Sequence, residues 1–143
     1  MPAVLSDQPE LAPRETTQRR RILIVDDDEP LVELLSRRLQ QQGYETVAAD
    51  TGHAGLALAR QELPALVILD LRLPDIDGFS VCQRLVDLPE TCSIPVIMLS
   101  GMERPDIIRQ CRAAGCYYFV RKPYDPNALL VLIRQAIAES GPV

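Results

Sequence analysis

The segment RILIVDDDEP, residues 21–30, joins an apolar run directly to a cluster of acids. Residues 22–25 are all Ile, Leu or Val, which is typical of a strand buried on both faces of a sheet. Residues 26–29 follow as three Asp and one Glu, whose negative charges repel one another. A buried strand that ends in several acids is tolerable if a hard divalent cation lies among the carboxylates, and Mg²⁺ prefers such oxygen ligands.

Four further apolar runs repeat this arrangement along the chain. They are YETVAA (44–49), ALVILD (65–70), PVIMLS (95–100) and YYFVRK (117–122). Segments with apolar side chains at helical spacing separate the runs, as in Leu31, Leu35 and Leu39. We predict helices that end before Gly43, run from Thr51 to Gln61, span 78–87 and 105–114, and start after Asp125.

Strands that alternate with helices and short loops predict an α/β fold of the (βα)5 type. In such a fold a doubly wound parallel five-stranded sheet has helices on both faces. Ligands bind beyond the carboxyl ends of the strands, where the strand order reverses. For the order 2-1-3-4-5, strands one and three flank that point, so the residues just after the strands are the informative ones.

Composition limits the domain count and the class of partner. With 143 residues, 47% of them hydrophobic, the chain has material for one core. We expect a domain over residues 20–140, a disordered N-terminal tail over 1–19 and a C-terminal tail over 141–143. The net charge of -5 disfavours nucleic-acid binding. No apolar run is long enough to span a membrane, so we expect a cytoplasmic protein.

Chemically useful side chains stand at four strand ends. Asp26 and Asp27 follow the first strand, and Asp70, Ser100 and Lys122 close the third, fourth and fifth runs. If the carboxylates hold Mg²⁺, Asp70 can attack a phosphoryl group as a nucleophile.

Lysine usage supports the same interpretation. Lys122 is the only lysine among 15 basic residues, the other 14 being arginine. A compact ammonium group acts on phosphate as a point charge, which the planar guanidinium of arginine does differently. We therefore predict that Lys122 pairs with a phosphoryl group.

Four segments of the chain occur in a characteristic order: ILIVDDDEP, LVILDLRLPDIDGF, PVIMLSG and FVRKP. With these segments the chain resembles the receiver domains of two-component response regulators over about residues 20–140. The resemblance implies a flavodoxin-like fold with the strand order 2-1-3-4-5, and Asp70 as the phosphoacceptor. It also implies a cis bond before Pro123. The implied Mg²⁺ site has Asp26 and Asp27 as its acidic pair, with Asp27, Asp70 and the main-chain carbonyl of Arg72 as the direct protein ligands. Ser100 and Lys122 are the implied catalytic partners, and Ser100 and Phe119 the implied switch residues.

The implied partners are a sensor histidine kinase or phosphotransfer protein and a downstream target or output domain. The face formed by the fourth helix, fifth strand and fifth helix would carry the output, and it could also form a dimer on phosphorylation. Such a domain is not an enzyme in the ordinary sense, because it assists only its own phosphorylation and dephosphorylation. Phe119 could equally be an ordinary core aromatic.

Two alternatives stay open from the residues. One is a receiver-like interaction module that works without phosphorylation. The other is an aspartyl-phosphate phosphohydrolase, although hydrolases of the haloacid dehalogenase type carry Asp-x-Asp where this chain has Asp70 and Arg72. We also interpret Asp28, Asp75, Asp77 and Asp87 as helix caps or loop residues.

Overall fold

The computed structural model describes residues 20–102 and 104–140. Within these ranges five parallel strands form a single sheet in the order β2-β1-β3-β4-β5, which confirms the predicted topology. The strands are β1 Arg21–Val25, β2 Glu45–Ala49, β3 Leu66–Asp70, β4 Val96–Ser100 and β5 Tyr118–Arg121. The tails predicted for 1–19 and 141–143 lie outside the described residues.

Five helices alternate with these strands: α1 Glu29–Gln41, α2 Gly52–Glu62, α3 Gly78–Asp87, α4 Ile107–Ala114 and α5 Pro126–Ser140. The prediction that the fourth helix starts at residue 105 is wrong by two residues. The backbone first makes a turn in which the Ile107 amide donates to the Arg104 carbonyl. The Asp106 carboxylate is held by Arg104 and Gln110 and makes no cap hydrogen bond.

Side-chain caps define the starts of the first three helices. Asp28 accepts from the Leu31 amide at 3.3 Å, Thr51 from Ala54 at 3.0 Å, and Asp77 from Ser80 at 2.9 Å. Each cap satisfies an amide that has no partner within the helix. The predicted capping roles of Asp28 and Asp77 are thereby confirmed.

The sheet has a hydrophobic core on each face, because successive strand residues point to opposite sides. In β1, Leu23 and Val25 join the core under α2, α3 and α4, while Ile22 and Ile24 join the core under α1 and α5. All five residues of β3 and of β4 are buried. The carboxyl ends of the central strands are therefore held by packing on both sides.

Membrane insertion has no support in the helices that the structure describes. None of those in 20–102 and 104–140 combines the length and the apolar character needed to cross a bilayer.

Candidate functional site

Three carboxylates meet where β1 and β3 end. The two strands pair in parallel with Val25 opposite Leu69, which places Asp26, Asp27 and Asp70 at the same edge of the sheet. One oxygen from each carboxylate lies within 4.8 Å of the other two. Asp26 and Asp70 are only 3% and 6% exposed, while Asp27 is open to solvent. The carboxylates thus form a cleft that is closed beneath and open on one side.

Lys122 supplies a positive charge from the end of β5. Its Nζ atom lies 3.0 Å from Asp26 Oδ2 and 3.4 Å from Asp70 Oδ2. The Lys122 amide donates to the Ser100 carbonyl at 2.8 Å, and the Lys122–Pro123 peptide bond is cis, as the resemblance implies. Burial alone would lower the pKa of Lys122, but the hydrogen bond to Asp26 and the charges of both carboxylates raise it. Lys122 therefore remains charged.

The charges of this cleft do not balance. Burial and the nearby Asp26 carboxylate raise the pKa of Asp70 to about 6, although Lys122 and the Arg72 amide act in the opposite direction. The Arg72 amide donates to Asp70 Oδ1 at 3.3 Å, and the Asp28 amide donates to Asp26 Oδ1 at 3.0 Å. Three carboxylates against one ammonium leave an excess of negative charge.

A hard divalent cation fits this donor set. Mg²⁺ binds carboxylate and carbonyl oxygens, keeps several waters and uses few protein ligands. The cleft provides three carboxylates with oxygens within 4.8 Å of one another, and its open side leaves room for water.

Ser100 and Phe119 occupy the neighbouring strands. Ser100 ends β4 fully buried, and its Oγ atom accepts a hydrogen bond from the Met102 amide at 2.9 Å. Phe119 lies on β5 opposite Met98 and is half-buried against the core under α2, α3 and α4. In this structure Phe119 therefore packs against the edge of that core.

Two residues near the site were missed as functional candidates. Asp75, interpreted from sequence as a cap or loop residue, accepts from the Gly52 and His53 amides of α2 at 2.7 and 2.9 Å. Tyr124 lies close enough for the charges of Lys122 and Asp26 to act on it, and burial is the main cause that raises its pKa. The proximity of Tyr124 to Lys122 in the sequence was a usable signal, whereas nothing local links Asp75 to α2.

Comparisons with known proteins agree with this geometry. Residues 22–134 match the family described as "Response regulator receiver domain". The chain is 41% identical over 114 residues to the DNA-binding dual master transcriptional regulator RpaA of Synechocystis, covering 80% of this chain and 47% of that protein. It is 34% identical over 118 residues to Protein PilH of Pseudomonas aeruginosa, covering 82% of this chain and 98% of PilH.

A solved structure shows the same architecture. The receiver domain protein of Methanospirillum hungatei JF-1 superposes with a TM-score of 0.80 at 30% identity, covering 85% of this chain and 95% of that one. The chain belongs to the response regulator receiver domain family, the CheY-like proteins of two-component signalling. It spans about half the length of RpaA, at 47%, so the activities of such longer proteins do not transfer to it directly.

Family and geometry together define the class of function. This receiver domain has an acidic pocket of Asp26, Asp27 and Asp70 with Lys122 beside it. That arrangement is consistent with magnesium-dependent phosphorylation of an aspartate. The domain is accordingly a phosphoacceptor rather than a conventional enzyme.

Proposed function

We propose that Asp70 accepts a phosphoryl group from a phosphohistidine of a sensor histidine kinase or phosphotransfer protein. Asp26 and Asp27 would form the acidic pair that holds Mg²⁺, with Asp27, Asp70 and the main-chain carbonyl of Arg72 as its direct ligands. The observation that carries the proposal is the convergence of three carboxylate oxygens within 4.8 Å, with Lys122 at 3.0 and 3.4 Å from two of the carboxylates. No other arrangement in the described residues offers a nucleophile beside both a cation site and a fixed ammonium.

The transfer requires an ionised nucleophile. With its pKa near 6, Asp70 is mostly deprotonated at neutral pH, so an oxygen lone pair is available for attack on phosphorus. A new P–O bond forms as the P–N bond to histidine breaks, and the bonding electron pair returns to the imidazole nitrogen. A Mg²⁺ ion held by the acidic cleft would supply positive charge to offset that of the phosphoryl oxygens.

Lys122 and Ser100 act on the phosphoryl oxygens. The Lys122 ammonium already spans Asp26 and Asp70, so it can pair with a phosphoryl oxygen attached to Asp70 without crossing the site. Ser100 Oγ accepts a hydrogen bond from Met102, which leaves the hydroxyl proton of Ser100 for donation. Donation by Ser100 draws the loop after β4 toward the new phosphoryl group.

The output of this switch is proposed on the face formed by α4, β5 and α5. Movement of the loop after β4 changes the surroundings of Phe119, which can then repack further inward. Ile108 of α4 is 54% exposed, and Tyr117, just before β5, is 43% exposed, so these elements offer apolar surface to a partner protein or an output domain. A phosphorylation-dependent dimer would use the same surface.

The domain bounds are part of the proposal. Residues 20–140 are proposed as the receiver unit, which is supported by a first strand that starts at Arg21 and a last helix that ends at Ser140. Residues 1–19 and 141–143 are proposed as tails to this unit.

Intact mass spectrometry tests the proposal directly. After incubation with acetyl phosphate and Mg²⁺, wild type should carry one phosphoryl adduct, which should be absent without Mg²⁺ and absent in Asp70→Asn. Asp87→Asn is the matched control, because Asp87 is an acid at the end of α3, away from the cleft, and it should behave as wild type. An adduct that persists in Asp70→Asn would overturn the assignment, and no adduct in wild type would favour the phosphorylation-independent module.

A further inference from the structure

The loop after the phosphoacceptor, residues 71–77, is anchored at both ends. The amide of Gly78, which follows the loop, donates to the carbonyl of Leu71, its first residue, at 2.9 Å. A side chain at Gly78 would bring its Cβ within 2.7 Å of the Asp70 carbonyl oxygen, so the backbone on either side of this loop is in close contact. The loop that carries Arg72 is therefore not free to move independently of Asp70.

The same loop is tied to α2 by Asp75. The two carboxylate oxygens accept one hydrogen bond each, from the Gly52 amide at 2.7 Å and from the His53 amide at 2.9 Å. These amides hold the pKa of Asp75 at about 2. Beside this contact a Cβ at Gly52 would meet Ile76 Cγ1 at 2.5 Å, so helix and loop touch without space between them.

Helix α2 in turn lies against the strand that carries the other two acids. A Cβ at Gly55 would be 2.8 Å from Val25 Cγ2, and Val25 is the last residue of β1. The Asp26 amide, next in the chain, donates to the Ala49 carbonyl at the end of β2 at 3.0 Å. A continuous series of contacts thus runs from Asp26, through α2, to Asp75.

Asp75 is not needed to start α2. Thr51 already caps that helix through the Ala54 amide at 3.0 Å. The Gly52 and His53 amides at the first turn could be satisfied by water, as the ends of many exposed helices are. A carboxylate supplied from a loop 22 residues away instead fixes the distance between two elements.

We propose that Asp75 is a positioning residue: it holds the 71–77 loop against α2 so that Asp70 and the Arg72 carbonyl keep the separation from Asp26 and Asp27 that a divalent cation requires. This inference rests on the proposed function, since it concerns the same metal site. Asp75 itself does not touch the cation. Its effect reaches the site through the loop on one side and through α2 and Val25 on the other.

Calorimetric titration with Mg²⁺ alone tests the positioning role. For Asp75→Ala we expect the dissociation constant to rise by about tenfold, the lower end of the range for outer residues that orient metal ligands. Thr51→Ala is the matched control, because it removes a cap from the same helix end without releasing the loop, and its dissociation constant should stay near that of wild type. Asp75→Asn keeps one acceptor oxygen and should fall between wild type and Asp75→Ala.

A second measurement uses the metal-free protein. In amide NMR spectra Asp75→Ala should shift the resonances of Arg72 and Asp27 and speed hydrogen exchange at Gly52 and His53, whereas Thr51→Ala should leave Asp27 unshifted. Equal Mg²⁺ affinity in Asp75→Ala and wild type, or an equal loss in Thr51→Ala, would overturn the positioning role. If wild type binds no Mg²⁺, the proposed function fails. The shift of the Asp27 amide resonance in metal-free Asp75→Ala then decides by itself whether Asp75 positions the carboxyl ends of β1 and β3.

Discussion

The two ends of strand β1 differ in how their charged side chains are paired and how far they are exposed to solvent. At the amino end Arg21 lies between two glutamates, hydrogen-bonded to Glu62 and lying 3.1 Å from Glu45, and all three side chains are partly open to water. Beyond the carboxyl end three aspartates meet, and Lys122 pairs with Asp26 and Asp70, the two that are nearly closed from solvent. The first arrangement is a surface network, whereas the second keeps an excess of negative charge in a poorly solvated cleft.

This difference separates the residues that fold the domain from those that make it function. The apolar residues between the two ends of β1 are buried on both faces and stabilise the sheet whichever side chains stand at its carboxyl edge. Crowded, desolvated carboxylates oppose folding, because each resists loss of its hydration and repels the others. A domain retains such a cluster where an ion or a reacting group offsets its cost.

Removal of the lysine should have the largest effect on stability. Lys122→Ala leaves Asp26 and Asp70 buried without their positive partner, so the metal-free free energy of unfolding should fall by about 3 kcal/mol. Urea denaturation at pH 7 measures this change. Saturating Mg²⁺ should recover part of the loss, and a decrease well below about 1 kcal/mol would show that the cleft is better hydrated than its burial indicates.

Magnesium should stabilise the wild-type domain in a pH-dependent way. At a concentration about 100 times its dissociation constant, Mg²⁺ adds about 2.7 kcal/mol. The pKa of Asp70 is raised to about 6 in the folded domain, so the unfolded chain loses this proton at lower pH than the folded one. The stability of the metal-free domain that comes from neutral Asp70 is therefore fully present below about pH 4 and is lost as the pH rises through 6. Thermal melts with and without Mg²⁺ should therefore diverge across this interval, whereas a gap that is constant from about pH 4 to about pH 8 would contradict the raised pKa.

Neutralisation of the phosphoacceptor should stabilise the metal-free fold. Asp70→Asn removes a carboxylate that is costly to ionise, so at pH 7 the free energy of unfolding should rise by about 2 kcal/mol, with little gain at about pH 4. Chemical denaturation at the two pH values makes the comparison. Asp87→Asn, away from the cleft, should change neither value, and a destabilised Asp70→Asn would mean that its hydrogen bonds outweigh the repulsion.

A substitution at the amino end of β1 should change the free energy of unfolding least. Arg21→Ala removes the partner of Glu45 and Glu62, but water can replace the lost contacts, so we expect a decrease of about 1 kcal/mol or less. The difference from wild type should shrink further in high salt, because exposed pairs are screened. Denaturation curves at low and high salt measure both, and a loss as large as that of Lys122→Ala would erase the contrast between the two ends.

Much of the site was predictable because strand ends are encoded locally. Apolar runs that stop at Asp26, Asp70, Ser100 and Lys122 predicted both the sheet and the residues at its edge. The start of α4 was predicted two residues too early, because the carboxylate of Asp106 has contacts other than a cap that its position in the sequence does not reveal. Asp75 was recognised only as a cap or loop residue, since its partners lie 22 residues and more away.

The sequence by itself determined the order of strands and helices, the identity of the acids and the lone lysine, because hydrophobic periodicity and residue chemistry are properties of short segments. Only the tertiary structure decided the 4.8 Å convergence of the carboxylates, the raised pKa of Asp70 and the tie from Asp75 to α2. Distances and desolvation arise when segments far apart in the chain pack together. Their magnitudes therefore depend on the assembled sheet rather than on any one segment.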